Sequence, residues 1–215
     1  MRTIMPAFDR HSKVGETIGR LVVGYGELEF GLLALVAAIT DDMDTAVKAL
    51  FRMRGESQRL QIADALARQR IEDAEIRRWF ENTIGDIQHC LKIRNQYAHC
   101  NWIDRPGTDE ALRFVNFEEI AKKNTPVDQS NLKEHVIDEG MVNVQMAYFI
   151  YVDDCLTSIR AELLKRAGKA DYHPFLMPAK VPRPLLYKGQ GEQGNQDQAK
   201  AHGPSGHCQT KCTAR

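Results

Sequence analysis

The apolar residues Ile76, Phe80, Ile84, Ile87 and Leu91 follow one another at intervals of three or four, and the same stripe continues through Arg94 to Ala98. A repeat near 3.6 residues, held over so long a stretch, commits the chain to an amphipathic helix that must bury one face against other elements. The helix is expected to start near Asp73. On either side the spacing recurs. Ile18, Leu21, Val22, Tyr25, Leu28, Leu32, Leu35 and Val36 share a face of a helix expected from about Val14 to Ile39, ending at Thr40. Val142, Met146, Phe149, Ile150, Val152, Leu156, Ile159 and Leu163 predict a last long helix over about Asp138 to Ala167.

Shorter helices fill the gap between the first and the central one. Asp41, Asp42 and Asp44 offer acceptors and negative charge to the start of TAVKALFRM, where a helix N-terminus favours both. Gly55 reads as the C-cap of that helix and Ser57 as the N-cap of SQRLQIADALARQR. Pro106-Gly107 stops whatever follows the central helix, and the alternation LRFVNF within Ala111 to Phe117 predicts a short hairpin or extended excursion before the last helix. The expected fold class is therefore all-α, an antiparallel up-and-down bundle of four to five helices joined by short loops. Residues 1–167 form one helical domain in this reading. Residues 168–215 form a tail that is extended around Pro174, Pro178, Pro182 and Pro184 and disordered beyond Tyr187, where large apolar side chains are almost absent.

Composition narrows the partners. The chain of 215 residues carries 29 basic and 29 acidic side chains, so no global field draws it to nucleic acid or to a membrane surface, and an anionic partner must be held locally. The longest apolar run, FGLLALVAAI, has ten residues against the roughly 18 expected of a membrane span. The start MRTIMPAFDRHSK has no apolar core of a secretory signal. The expectation is a cytoplasmic protein with no membrane partner. Five cysteines at irregular spacing do not resemble a disulfide framework, and Cys90 and Cys155 fall within apolar helical patterns, as small hydrophobes do.

The polar content of KIRNQYAHC, residues 92–100, conflicts with the stripe it interrupts. Arg94 falls on the packing face or its rim and needs a partner there, with Glu27 or Glu29 of GELEFG as the candidates for an ion pair. Asn95 and His99, four apart, share a helix face. Arg94 and His99, five apart, are separated by roughly 140° around an ideal helix. They converge if the helix ends or distorts near Ala98, or if a second subunit supplies half of a site.

The string from Arg94 and Asn95 through Gln96, Tyr97 and Ala98 to His99 resembles the signature of the HEPN superfamily, an arginine followed by a polar residue and, after a short gap, a histidine. The resemblance spans about residues 14–165, its specific part being that six-residue string. It implies an all-α bundle with the signature late in a core helix. It also implies a metal-independent endoribonuclease without cofactor or metal, whose RNA-cleaving site is assembled from the two motifs of a homodimer. The associated role is that of a toxin or defence effector, controlled by an antitoxin or regulatory protein. The catalytic residues would be Arg94, Asn95 and His99. Antitoxin-modified members carry a tyrosine two residues after the histidine, where this chain has Asn101, so that regulation is not carried over. The competing reading is a catalytically inactive helical module for dimerisation or for nucleotide or RNA binding.

The residue types suit the chemistry. Histidine titrates near neutral pH and can accept a proton from a ribose 2′-OH. A guanidinium gives paired, charge-assisted hydrogen bonds to phosphate oxygens. Asn95 can orient His99 or hold a phosphate oxygen. Other polar groups have plainer readings. The acidic DDMD at 41–44 is a helix start rather than a metal site, and His89 a rim residue. His202, His207, Cys208 and Cys212 lack the CxxC spacing of a zinc knuckle. Arg52, Arg54, Arg59, Arg68, Arg70, Arg77 and Arg78 are expected on solvated helical faces, available for phosphate contacts.

Overall fold

The structure, a computed structural model, describes residues 5–103, 111–122, 126–128, 132–169 and 176–187. In chain order these form α1 (Pro6–Arg10), α2 (Ser12–Thr40), α3 (Met43–Phe51), α4 (Glu56–Arg68), α5 (Ala74–His99), β1 (Asn101–Ile103), β2 (Leu112–Val115), α6 (Phe117–Ala121), β3 (His135–Ile137) and α7 (Glu139–Arg166). Most of the described chain is helical. The expected stop at Pro106-Gly107, the tail from 188 onward and its His and Cys residues lie outside the described residues.

Local cap chemistry sets the helix starts. The Asp73 carboxylate accepts from the backbone N–H groups of Glu75 and Ile76 at 2.8 and 2.9 Å, Asp138 accepts from Met141 at 2.9 Å, and Asp42 from Thr45 at 3.0 Å. Each satisfies helix donors that have no intrahelical partner. The reading of Gly55 and Ser57 needs correction. The second predicted helix ends at Phe51, with Arg52 as its C-cap. Gly55, in extended backbone, is the N-cap of α4, and Ser57 lies inside its first turn. Glycine serves at an N-cap almost as well as a hydroxyl residue, so the cap pattern alone did not separate the two assignments.

The central stripe does pack. Ile76, Phe80 and Ile87 are fully buried, each contributing about 1.5–3 kcal/mol relative to exposure. Beyond Leu91 the stripe turns. Ile93, Gln96 and Tyr97 are buried while Ala98 is exposed, so the inward face of α5 rotates by roughly a quarter turn. Helix α5 packs against α2, α4 and α7, and at its end Tyr97 stacks on Trp102 of the sheet while Gln96 meets the segment 176–187.

The excursion predicted at LRFVNF is β2, the centre of a three-stranded antiparallel sheet in the order β1-β2-β3. Trp102 lies opposite Phe114, and Phe114 opposite His135. An all-α class thus omits a small sheet whose outer strands are too short to signal themselves.

Residue pairs fix the helix directions. Arg68–Glu81 and Arg94–Glu56 set α5 antiparallel to α4, and Arg166–Asp73 with Tyr97–Gln145 sets it antiparallel to α7. Gly31 lies against Leu156, and Asp41 pairs with Lys169, so α2 and α7 are neighbours running the same way. Helices α4, α5 and α7 alternate in direction. The sheet lies between α5 and α7 in chain order. Helix α2 is long and apolar enough, by length and composition, to cross a membrane; here Leu21, Leu28, Leu32 and Leu35 are buried in the common core, as in the central helix of a helical body.

Residues 176–187 are extended and lie along α5 and α7. We call them the strap. Pro184 is buried and Met177, Val181, Leu186 and Tyr187 pack on the core, so the packed body extends past the boundary expected at residue 167.

Candidate functional site

Arg94, Asn95 and His99 all belong to the last turns of α5, which stays helical through His99. The Cys100 N–H still bonds to the Gln96 carbonyl at 3.0 Å, and Cys100 itself is extended. The helix does not distort near Ala98. Arg94 and His99 therefore keep the roughly 140° separation of an ideal helix, with a rise of about 7.5 Å between them. Within one chain they do not converge.

Arg94 is half-buried. Its Nη1 donates to Asn95 Oδ1 at 2.9 Å and lies 3.5 Å from Glu56 Oε1, while its Nε is buried with no hydrogen-bond partner. The ion pair expected with Glu27 or Glu29 is made instead with Glu56, because Glu29 is taken. Arg59 Nη1 donates to both Glu29 carboxylate oxygens at 2.6 and 2.7 Å. Glu27 lines a groove with Phe30, Asp153 and Arg160 on the α2–α7 side. Asn95 gives its carbonyl oxygen to Arg94 rather than to His99. His99 is exposed.

Behind Arg94 lies a polar cluster between α2, α4 and α5. The Tyr25 hydroxyl is buried and has no hydrogen-bond partner, and burial, then the charges of Glu29 and Glu56, push it well above the usual phenol range. Burial raises the Glu29 carboxyl, and the Arg59 guanidinium opposes that rise. Two arginines and two glutamates balance here, with Arg94 the less tightly held of the cations.

Searches against protein-family models, curated proteins and solved structures find no match. The site must be read from its own geometry.

Sequence reasoning did not find Glu56, Arg59 or Tyr25 as neighbours of the motif. Their only signal was the three-residue spacing of Glu56 and Arg59 on one helix face. The arginines expected on solvated faces divide. Arg59 and Arg68 are committed to carboxylates, and Arg70 and Arg77 donate to backbone carbonyls. Arg52, Arg54 and Arg78 form no ion pair among the described residues. His89, read as a rim residue, is half-buried and bonds through Nε2 to the Pro184 carbonyl oxygen at 2.8 Å; burial lowers its pKa. Cys90 and Cys155 are buried free thiols. No group of three or more His, Cys, Asp or Glu side chains arranged to hold a metal ion occurs among the described residues.

Proposed function

We propose that this chain is a metal-independent endoribonuclease of HEPN type, acting as a homodimer whose two α5 ends form one composite site. The observation that carries the reading is the pairing, on one helix end, of an exposed His99 with a guanidinium whose hydrogen bonds are only partly satisfied. The unconverged angle between them supports a second copy as the source of the other half.

In such a site one His99 accepts the ribose 2′-OH proton as the 2′-oxygen attacks the adjacent phosphorus. Arg94 holds the non-bridging oxygens as negative charge builds. Water gives a proton to the departing 5′-oxygen, leaving a 2′,3′-cyclic phosphate and a 5′-hydroxyl, and His99 returns its proton to solvent. Glu56 must release Arg94 when phosphate arrives. The helical body with its strap supplies the dimer, the setting is cytoplasmic, and an antitoxin or other regulatory protein restrains the activity.

A second reading rests on the same ion pair. If Glu56 and Asn95 hold Arg94 permanently, the motif is structural and the chain is a silent helical module for dimerisation or RNA binding. The experiment is RNA cleavage by the purified chain with EDTA present, compared with Arg94→Ala and His99→Ala. Cleavage that persists in EDTA and disappears in both folded variants supports the enzyme. Cleavage by His99→Ala at the wild-type rate overturns the catalytic assignment.

A further inference from the structure

The helical turn that displays Arg94, Asn95 and His99 outward has Gln96 and Tyr97 on its inner face, and both are buried. Both lead to the strap. Gln96 Nε2 donates to the Leu186 carbonyl oxygen at 2.8 Å. The Tyr97 hydroxyl donates to Gln145 Oε1, and the Nε2 of the same fully buried Gln145 donates to Leu185 O at 2.7 Å and Leu186 O at 3.3 Å. One amide from α7 thus bridges the motif helix and the strap. Upstream, His89 meets Pro184 O at 2.8 Å, and Arg183 Nη2 and Nε reach the buried Asp86 carboxylate at 2.9 and 3.0 Å.

Two features separate this from ordinary packing. The strap is read through its main-chain carbonyls, and buried amides on α5 and α7 spend their donors on it; without the strap these donors lose those partners. The contacts also converge on a helix terminus, where intrahelical bonds run out and local opening is easiest. The last bond of α5 is Cys100 N–H to Gln96 O, so the residue gripped by Leu186 is also the acceptor that closes the turn carrying His99.

We propose that the strap is a positioning element for the candidate site. Residues 184–186 hold the last turn of α5 through Gln96 and the Gln145–Tyr97 pair, and release of the strap loosens the turn that carries Arg94 and His99. The consequence for catalysis rests on the ribonuclease reading; the mechanical coupling does not.

The test is backbone amide hydrogen exchange on the full chain carrying Asp86→Asn with Arg183→Gln, which unlocks the far end of the strap without leaving a buried unpaired carboxylate. The amides of 185–187 and of Tyr97–Cys100 should exchange about tenfold faster together, with α2 amides unchanged. Release of the strap amides with the α5 end still protected overturns the proposal. If the double variant loses α2 protection as well, Tyr97→Phe decides, because it removes only the hydroxyl. Faster exchange at both the α5 end and Leu185–Tyr187 is expected, and no change at either overturns it. Where the wild type cleaves RNA, kcat should fall about tenfold with KM nearly constant. Where it does not, the exchange result stands by itself, and the failure of one idea is not read as failure of the other.

Discussion

Glu56, in the first turn of α4, sets a carboxylate oxygen 3.5 Å from the Arg94 guanidinium on α5, with the two side chains 29% and 26% exposed. That distance exceeds the roughly 2.7–2.9 Å of a tight charge-assisted bond, and both groups are wetted. In the proposed ribonuclease, Glu56 holds the place of the incoming phosphate as a counter-ion that leaves.

Glu56→Gln should free Arg94. A partly exposed pair is worth up to about 1 kcal/mol, so stability should change by no more than that while affinity for single-stranded RNA rises roughly two- to tenfold. Fluorescence anisotropy at low salt reads this directly. Unchanged or weaker binding would mean that Arg94 does not meet the RNA.

The Glu29–Arg59 pair is more buried and should matter for folding. Glu29→Gln should cost about 1–3 kcal/mol, as loss of a well-formed hydrogen bond to a charged group does. Burial raises the Glu29 carboxyl above its ordinary value of 4.5, so the folded chain holds that proton more tightly than the unfolded one. This group's contribution therefore declines as pH rises from 4.5 through the folded value. Urea unfolding from about pH 4 to about pH 7 should show the wild-type advantage over Glu29→Gln shrinking with pH. An advantage that grows would reverse the sign of the shift.

Much of the fold was legible because its signals are local. The stripe from Ile76 to Leu91 needs only one buried face, and the starts expected near Asp73 and Asp138 coincide with the N-caps of α5 and α7. What lay hidden depends on distant partners. Ala98 turned outward because Gln145 and the strap take the inner face at Gln96 and Tyr97. No side-chain pattern announces a strap held by its carbonyls. Arg94 was legible as needing a partner, but its choice of Glu56 over Glu29 follows from Arg59, which sequence spacing does not connect to the motif. The five-residue step to His99 was visible from the start, and the regular end of α5 leaves it open.

Thiol reactivity follows burial. Burial pushes the Cys100 thiol up to about 12 and raises those of Cys90 and Cys155, which keeps them as unreactive thiols at neutral pH. Iodoacetamide treatment of the native chain, followed by peptide mapping, should leave Cys90 and Cys155 unmodified until denaturant is added. Rapid native labelling of Cys90 would contradict the packing of α5.

His99→Ala should leave the fold intact. The residue is exposed, and surface substitutions usually change stability by no more than about 0.5 kcal/mol. Thermal melting should match wild type within a degree or two for a chain of this size, while RNA cleavage is lost. A large fall in Tm would give His99 a structural role instead.

The composite site is tested most directly by subunit complementation. Arg94→Ala and His99→Ala chains, each inactive alone, are mixed under conditions that exchange subunits and assayed for RNA cleavage in EDTA. The account predicts that the mixture regains a measurable fraction of wild-type activity, because one chain still supplies His99 and the other Arg94. Active wild-type monomers, or a mixed dimer as inactive as its parents, would contradict it.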